Sequence, residues 1–142
     1  MSDTAGAFLL AGRLTLAFFF AMAGWRHITG GKEFVGFARS VGFPAPALAP
    51  WPTGVWLGLG AISLGLGIWP DIGALMIVVF LTPAAVWFHA YWKAPEDQTL
   101  MQTQLLYRNV TLVGACVALF GVFTGLGDAL RFSITSALID LR

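Results

Sequence analysis

The chain has 142 residues, of which 58% are hydrophobic and 11% are charged, and its mean hydropathy is +0.79. A soluble domain has about 45–50% apolar and about 25% charged residues, so this composition excludes an ordinary water-soluble domain. Eight basic against seven acidic residues leave a net charge of +1, which also excludes a nucleic-acid-binding protein. Four membrane spans of about 20 residues each would fill the length of a single domain. We therefore predict an integral membrane protein.

Four apolar runs divide the chain, and they predict one transmembrane domain over residues 1–142 with spans at about 5–28, 51–69, 72–92 and 109–127. Each run is about as long as a bilayer-crossing helix, and none alternates with the period of a barrel strand. The first run begins near Ala5 and follows Asp3, which favours a retained span over a cleaved signal peptide. The predicted fold class is an all-α, integral membrane four-helix bundle.

The segments outside the spans carry their own patterns. Apolar residues at near-helical spacing over Lys32–Val41 predict a short interfacial helix in the first loop, which Pro44 and Pro46 end. The polar stretch Lys93–Arg108 is interpreted as the third loop. The tail from Asp128 to Arg142 places apolar residues on one stripe, which predicts an amphipathic C-terminal helix. These residues are Leu130, Ile134, Ala137, Leu138 and Leu141.

Small residues in two spans indicate close helix packing within the bundle. The second span carries Gly54, Gly58, Ala61 and Gly65, and the fourth carries Gly114, Ala118, Gly121 and Gly125. In the third span, Pro83 lacks the N–H that would bond to the carbonyl of Val79, which predicts a kink there.

Arg13 is an intramembrane charge and is the most informative single residue. A charged side chain inside a span costs about 2.5–3.5 kcal/mol on insertion scales, so it normally faces protein or water. Arg13 shares a helix face with Ala17, Ala21 and Gly24, which favours an inward orientation over snorkelling to the nearer interface. The spans offer it no carboxylate, so we expect carbonyls, hydroxyls or an anion as partners. Asp71 and Asp128 close spans two and four at the same end of the bundle.

Polar residues also gather at the opposite end of the predicted bundle. His27, His89, Arg108 and Asn109 are brought there by the four-span topology, and they are candidates for binding a quinone or a lipid headgroup. Imidazole and amide groups would donate hydrogen bonds to a quinone carbonyl. Haem ligation by the two histidines is disfavoured because both lie near headgroup depth, and histidines that only bond to the protein are a further alternative.

Cys116 is the single cysteine, so the chain holds no internal disulfide and no dithiol redox pair. No cluster or flavin motif is visible either. We expect no metal site and no redox cofactor in the isolated chain, with a quinone as the candidate ligand.

Several segments, taken in order, resemble the DoxX family of small four-span membrane proteins. They are Arg13 with Phe18-Phe19-Phe20 and Gly24, then Gly42-Phe43-Pro44-Ala45-Pro46, the Gly-rich second span, Phe88-His89-Ala90-Tyr91-Trp92, Arg108-Asn109-Val110-Thr111-Leu112-Val113-Gly114, and Arg131-Phe132-Ser133-Ile134. The resemblance implies a multi-pass protein of the bacterial cytoplasmic (inner) membrane, in a family named after subunits of quinone-linked oxidases. Many relatives carry a glutamate near the position of Trp56, and this departure leaves Arg13 without an intramembrane carboxylate partner.

The resemblance favours an accessory or quinone-linked subunit of a membrane oxidoreductase or respiratory complex, non-catalytic rather than a stand-alone enzyme. Its expected partners are the lipid bilayer and other membrane subunits, with no nucleic acid. The alternatives are a carrier for a lipid or small hydrophobic molecule and a structural membrane scaffold. Positive charge predicts the orientation, because Arg26, Lys32, Arg39, Lys93 and Arg108 outnumber Arg13, Arg131 and Arg142 at the other end. Both longer loops are then cytoplasmic and both termini outside.

Overall fold

The regular structure of the chain is helical throughout residues 1–141, which are the residues that the computed structural model describes. The main helices are α1 (Asp3–Ser40), α2 (Trp51–Leu66), α3 (Pro70–Pro83) and α4 (Glu96–Leu126). A π-helical turn (Ala84–Phe88) continues α3, and short 3-10 turns lie at Pro46–Leu48, Tyr91–Lys93 and Gly127–Ala129. Three helical segments are long and apolar enough to cross a membrane, whereas α2, with 16 residues, is shorter. The predicted all-α membrane bundle is confirmed.

The helices pack in chain order, α1 on α2, α2 on α3 and α3 on α4. The core between them is apolar, and Phe20, Leu57, Ile77 and Phe123 are fully buried in it. Large apolar side chains also cover the outside of the bundle, and Phe8 and Phe18 are 77% and 71% exposed. An apolar exterior around an apolar core is what a helix bundle surrounded by lipid requires.

Glycines set the closest helix contacts, as predicted for the second span. A Cβ added at Gly24 of α1 would lie 2.8 Å from the carbonyl oxygen of Gly54 in α2. On the other side of α2, a Cβ at Gly73 would lie 2.9 Å from the carbonyl oxygen of Gly60, so α3 is equally close. Small residues therefore let α2 touch both of its neighbours through backbone.

The same prediction for the fourth span is wrong. Within residues 1–141, a Cβ added at Gly114, Gly121 or Gly125 would meet nothing within 4 Å, and all three glycines are exposed. The face of α4 that packs on the bundle carries Cys116 and Phe123 instead. Larger buried side chains on this face outweigh the small-residue stripe.

The predicted short helix of the first loop is the second arm of α1. Gly31 has φ 46° and ψ −120°, a non-helical conformation that a residue with a side chain rarely adopts, and the two helical arms of α1 meet there at a kink. The arm runs on from there to Ser40, and the amide of Phe43 bonds to the carbonyl of Ala38 just beyond it.

Two predicted boundaries around the third link change. α-helical geometry ends at Pro83, where a kink was expected, and the π-helical turn follows. The polar stretch interpreted as the third loop is mostly helix, because α4 begins at Glu96. Its residues are strong helix formers, and Glu96 and Asp97 stabilise the positive end of the helix dipole.

The prediction of an amphipathic C-terminal helix is wrong for the described part of the tail. Residues 130–141 form turns, bends and extended backbone, and Arg142 lies outside the described residues. Tail amides bond to acceptors on the helical bundle instead of to acceptors within the tail. Ile134 and Thr135 donate to the carbonyls of Leu66 and Gly67 at 3.4 and 2.9 Å. The hydroxyl of Thr135 in turn accepts from the amide of Trp69 at 2.7 Å. These long-range bonds replace the local ones that a helix would have made.

Candidate functional site

Arg13 is completely buried and binds the C-terminal tail. Its guanidinium donates to the hydroxyl of Ser133 at 2.7 Å and to the carbonyl of Phe132 at 2.6 Å, with a longer bond of 3.4 Å to the carbonyl of Gly65. Its Nε is buried without a hydrogen-bond partner among the described residues. The inward orientation predicted for Arg13 is confirmed, and its partners are the carbonyls and hydroxyl that were expected.

Asp71, whose charge is opposite to that of Arg13, binds the same tail. It is also completely buried, and its carboxylate accepts from the amides of Leu138 at 3.0 Å and Ile139 at 2.9 Å. On the surface nearby, Asp3 and Arg131 form an ion pair at 3.1 Å. We call Arg13 and Asp71 together the tail clamp. Both of its charged groups bond to the C-terminal tail of the chain.

The opposite end contains a cavity of about 540 Å³ between the second arm of α1, the start of α2 and the end of α3. We call it the histidine cavity because both histidines of the chain, His27 and His89, line it. The rest of the wall is largely apolar, with six aromatic residues among its members, and no lysine, arginine, aspartate or glutamate lines it. The aromatic residues in the wall are Phe34, Phe37, Phe43, Trp56, Phe80 and Phe88.

Local backbone irregularities build this wall. The turn at Gly31 directs the second arm of α1 over the cavity, so that the ring of Phe34 lies 4.3 Å from that of His27. The π-helical turn after Pro83 brings Phe88 within 5.4 Å of Phe43, ring centre to ring centre. Without these two irregularities, α1 and α3 would continue straight past the space that they now enclose.

The two imidazole rings use the same nitrogen to bond to the protein. His27 lies with Nδ1 2.5 Å from the carbonyl oxygen of Ala49, and His89 with Nδ1 3.1 Å from Oε1 of Gln102. An oxygen that only accepts fixes the proton on Nδ1. In the neutral ring, Nε2 is then an acceptor. No hydrogen bond within residues 1–141 engages it.

The other two polar side chains of the wall also donate their hydrogen bonds to oxygens of the protein. The hydroxyl of Thr53 donates to the carbonyl of Leu48 at 2.5 Å, and the indole N–H of Trp56 donates to the carbonyl of Met76 at 2.7 Å. Each donor is thereby committed to backbone. The side-chain lone pairs of the wall, on nitrogen and oxygen, are what remain for a ligand.

The sequence-predicted candidates separate into two groups. His27 and His89 line one cavity, whereas Arg108 is exposed on α4 and Asn109 is buried, and neither lines the cavity. The amide side chain that bonds to a histidine is that of Gln102, whose Oε1 accepts from Nδ1 of His89. Gln102 lies six residues before Arg108, on the polar stretch for which the sequence pattern predicts a loop.

These features define a class: a multi-pass helical membrane protein whose short bundle encloses a ligand-sized apolar cavity at one end and secures its own tail at the other. The family model of DoxX matches residues 8–90, more than half of the chain, and the protein belongs to the DoxX family. The matched segment contains Arg13, Trp56 and both histidines, and ends before α4 and the tail. No curated protein and no solved structure matches the chain. Groups of three or more histidine, cysteine or acidic side chains suited to a metal ion do not occur within residues 1–141.

Proposed function

We propose that this protein binds a ring-bearing membrane lipophile of the quinone class in the histidine cavity, as a non-catalytic subunit of an oxidoreductase complex in the bacterial inner membrane. The observation that carries the proposal is the cavity itself: about 540 Å³ of apolar, partly aromatic wall interrupted by two imidazoles. Small-molecule sites measure about 300–1,000 Å³ and combine apolar walls with a few placed polar groups.

The wall favours a planar, uncharged ligand. Rings such as Phe34 and Phe80 offer faces and edges to a second ring, and offset or edge-to-face packing of aromatic rings contributes about 0.5–1.5 kcal/mol beyond area burial. The lining contains no charged residue other than the titratable histidines, so a phosphate or carboxylate headgroup would enter it without a fixed countercharge. A quinone ring with its hydrocarbon chain meets both requirements.

The accessory role is supported by the chemistry of the lining side chains. Imidazole, hydroxyl and indole groups hold and orient a ring, whereas the single thiol, Cys116, is buried in the core away from the cavity. In the proposed complex, the protein therefore holds the lipophile while a partner subunit exchanges electrons with it. The expectation drawn from the family resemblance points the same way.

A carrier of small neutral hydrophobic molecules is the second candidate, and the nearly continuous carbon surface of the cavity favours it. The two functions differ in what the purified protein contains. Solvent extraction and mass spectrometry of protein purified in mild detergent would yield quinones with co-purified oxidoreductase subunits in the first case. In the second case, other neutral lipophiles and no redox partner would be found.

Binding is tested by titrating the purified protein with a decyl-substituted para-benzoquinone and its hydroquinone. Trp56 lines the cavity, so a bound ring should quench its fluorescence, and the Trp56→Phe variant identifies that part of the signal. Ala84→Phe places a ring in the cavity without removing a hydrogen bond, and we expect it to weaken binding at least tenfold. Arg108→Gln is the matched control, because Arg108 lies outside the cavity. Equal affinity in the parent and Ala84→Phe proteins, or no saturable binding of either compound, would refute the proposed function.

A further inference from the structure

We propose that the histidine cavity recognises its ligand through hydroxyl groups that the ligand donates, so that it selects a hydroquinone or phenol over the oxidised quinone. This inference rests on the proposed function and adds to it the chemical form of the ligand. It follows from which polar atoms of the cavity wall are already bonded and which remain.

The side-chain donors of the wall are all committed. Four of the lining residues carry polar side-chain atoms: His27, Thr53, Trp56 and His89. Each gives its proton to an oxygen of the protein, at 2.5, 2.5, 2.7 and 3.1 Å respectively. Three of these four oxygens are backbone carbonyls, which have no proton to give back. In addition, Pro52 and Pro83 of the lining have no backbone N–H.

The acceptors of the wall are not committed in the same way. With Nδ1 protonated, the neutral rings of His27 and His89 each present a lone pair at Nε2, and the oxygen of Thr53 keeps its lone pairs after donating. The ring of His27 is held in this orientation between Phe34 at 4.3 Å and Phe80 at 5.6 Å, centre to centre. Turning it over would break the bond to Ala49.

The lining also favours the neutral rings that this argument requires. No acidic side chain lines the cavity, and its wall is otherwise apolar, so a charged imidazolium would be poorly solvated there. A quinone offers carbonyl oxygens that only accept, and it would face acceptors across the cavity. A hydroquinone offers two hydroxyl protons to the two Nε2 atoms.

The test compares three ligands of matched shape under anaerobic conditions: a decyl-substituted para-hydroquinone, the corresponding quinone, and the dimethyl ether of the hydroquinone. We expect the hydroquinone to bind at least about tenfold more tightly than either of the others, which corresponds to about 1.4 kcal/mol. His27→Phe should bring the ratio of hydroquinone to quinone affinity down towards one, whatever its effect on the affinity for the quinone itself. Arg108→Gln should alter neither.

The tautomers are read directly by nitrogen NMR of isotope-labelled histidine, because the chain has only two histidines. We expect both neutral rings to carry the proton on Nδ1. Protonation on Nε2, or equal or tighter binding of the quinone, would overturn the inference while leaving the proposed function standing. If none of the three compounds binds, the proposed function itself fails.

Discussion

Replacement of Arg13 by leucine tests whether the tail clamp holds the fold together. The substitution keeps a large side chain in the buried space but removes two short hydrogen bonds to Ser133 and Phe132. Hydrogen bonds to charged groups contribute about 1.5–3 kcal/mol each, so the two amount to about 3–6 kcal/mol. Phe132 is 52% exposed and Ser133 is half-buried, so water replaces part of this, and burying leucine returns about 2 kcal/mol. We expect a net loss of about 1–3 kcal/mol.

The loss should appear first in the tail and then in the whole bundle. Limited proteolysis in detergent, followed by mass spectrometry, should show cleavage within residues 130–141 of the Arg13→Leu protein under conditions that leave the parent intact. Its thermal midpoint should fall as well, because the tail also bonds to the carbonyls of Leu66 and Gly67 at the end of α2. Arg26→Ala is the control, since Arg26 is exposed. An Arg13→Leu protein that melts no lower than the parent, with a protected tail, would refute this reasoning.

Four further predictions concern other parts of the molecule. Gly31→Ala should destabilise the protein by about 1–3 kcal/mol in thermal melts and weaken ligand binding, because φ 46° with ψ −120° strains any side chain. The control is Gly36→Ala on the same arm, where a Cβ meets nothing within 4 Å, and it should be neutral or slightly stabilising. Asp71→Asn removes the charge and replaces one acceptor oxygen with a donor that faces the amide of Leu138, so it should lower stability by about 1–3 kcal/mol, whereas exposed Asp128→Asn should not. Reporter fusions should place the C-terminus outside the cytoplasm, and a C-terminal fusion active only in the cytoplasm would reverse the predicted topology. The purified chain should show no visible absorption band of its own, and a Soret band proportional to protein that is lost in His27→Ala would contradict this.

The sequence predicts the position of a polar residue well where few positions in the fold can accommodate it. Arg13 could be assigned to the interior because an unpaired charge among apolar helices has few alternatives. His27 and His89 could be assigned to one end because antiparallel helices of known order fix which ends meet. The first argument depends on the cost of burying a charge and the second on helix topology, and neither needs contacts between particular side chains.

The predictions that failed depend on contacts between distant parts of the chain. The tail has the apolar period of a helix, yet its amides bond to Asp71 and Gly67 over about 65 residues of sequence, and periodicity carries no information on such bonds. The glycine stripe of α4 follows the same pattern as that of α2, but only α2 lies between two neighbours. A spacing rule shows that close packing is permitted, whereas the arrangement of helices decides where it occurs.

The two ends of the bundle satisfy their polar side chains in opposite ways. At the tail end, Arg13 and Asp71 are matched to acceptors and donors of one segment, so little polar capacity is left for a ligand. At the other end, the side-chain donors of the cavity wall are bonded to the protein, whereas Nε2 of His27 and of His89 has no partner within residues 1–141. Neither Nε2 is a buried atom, so both are accessible to a molecule that enters the cavity. In the proposal, the hydroxyl groups of a ligand donate to the histidine Nε2 atoms at this end, as the tail supplies the partners of Arg13 and Asp71 at the other.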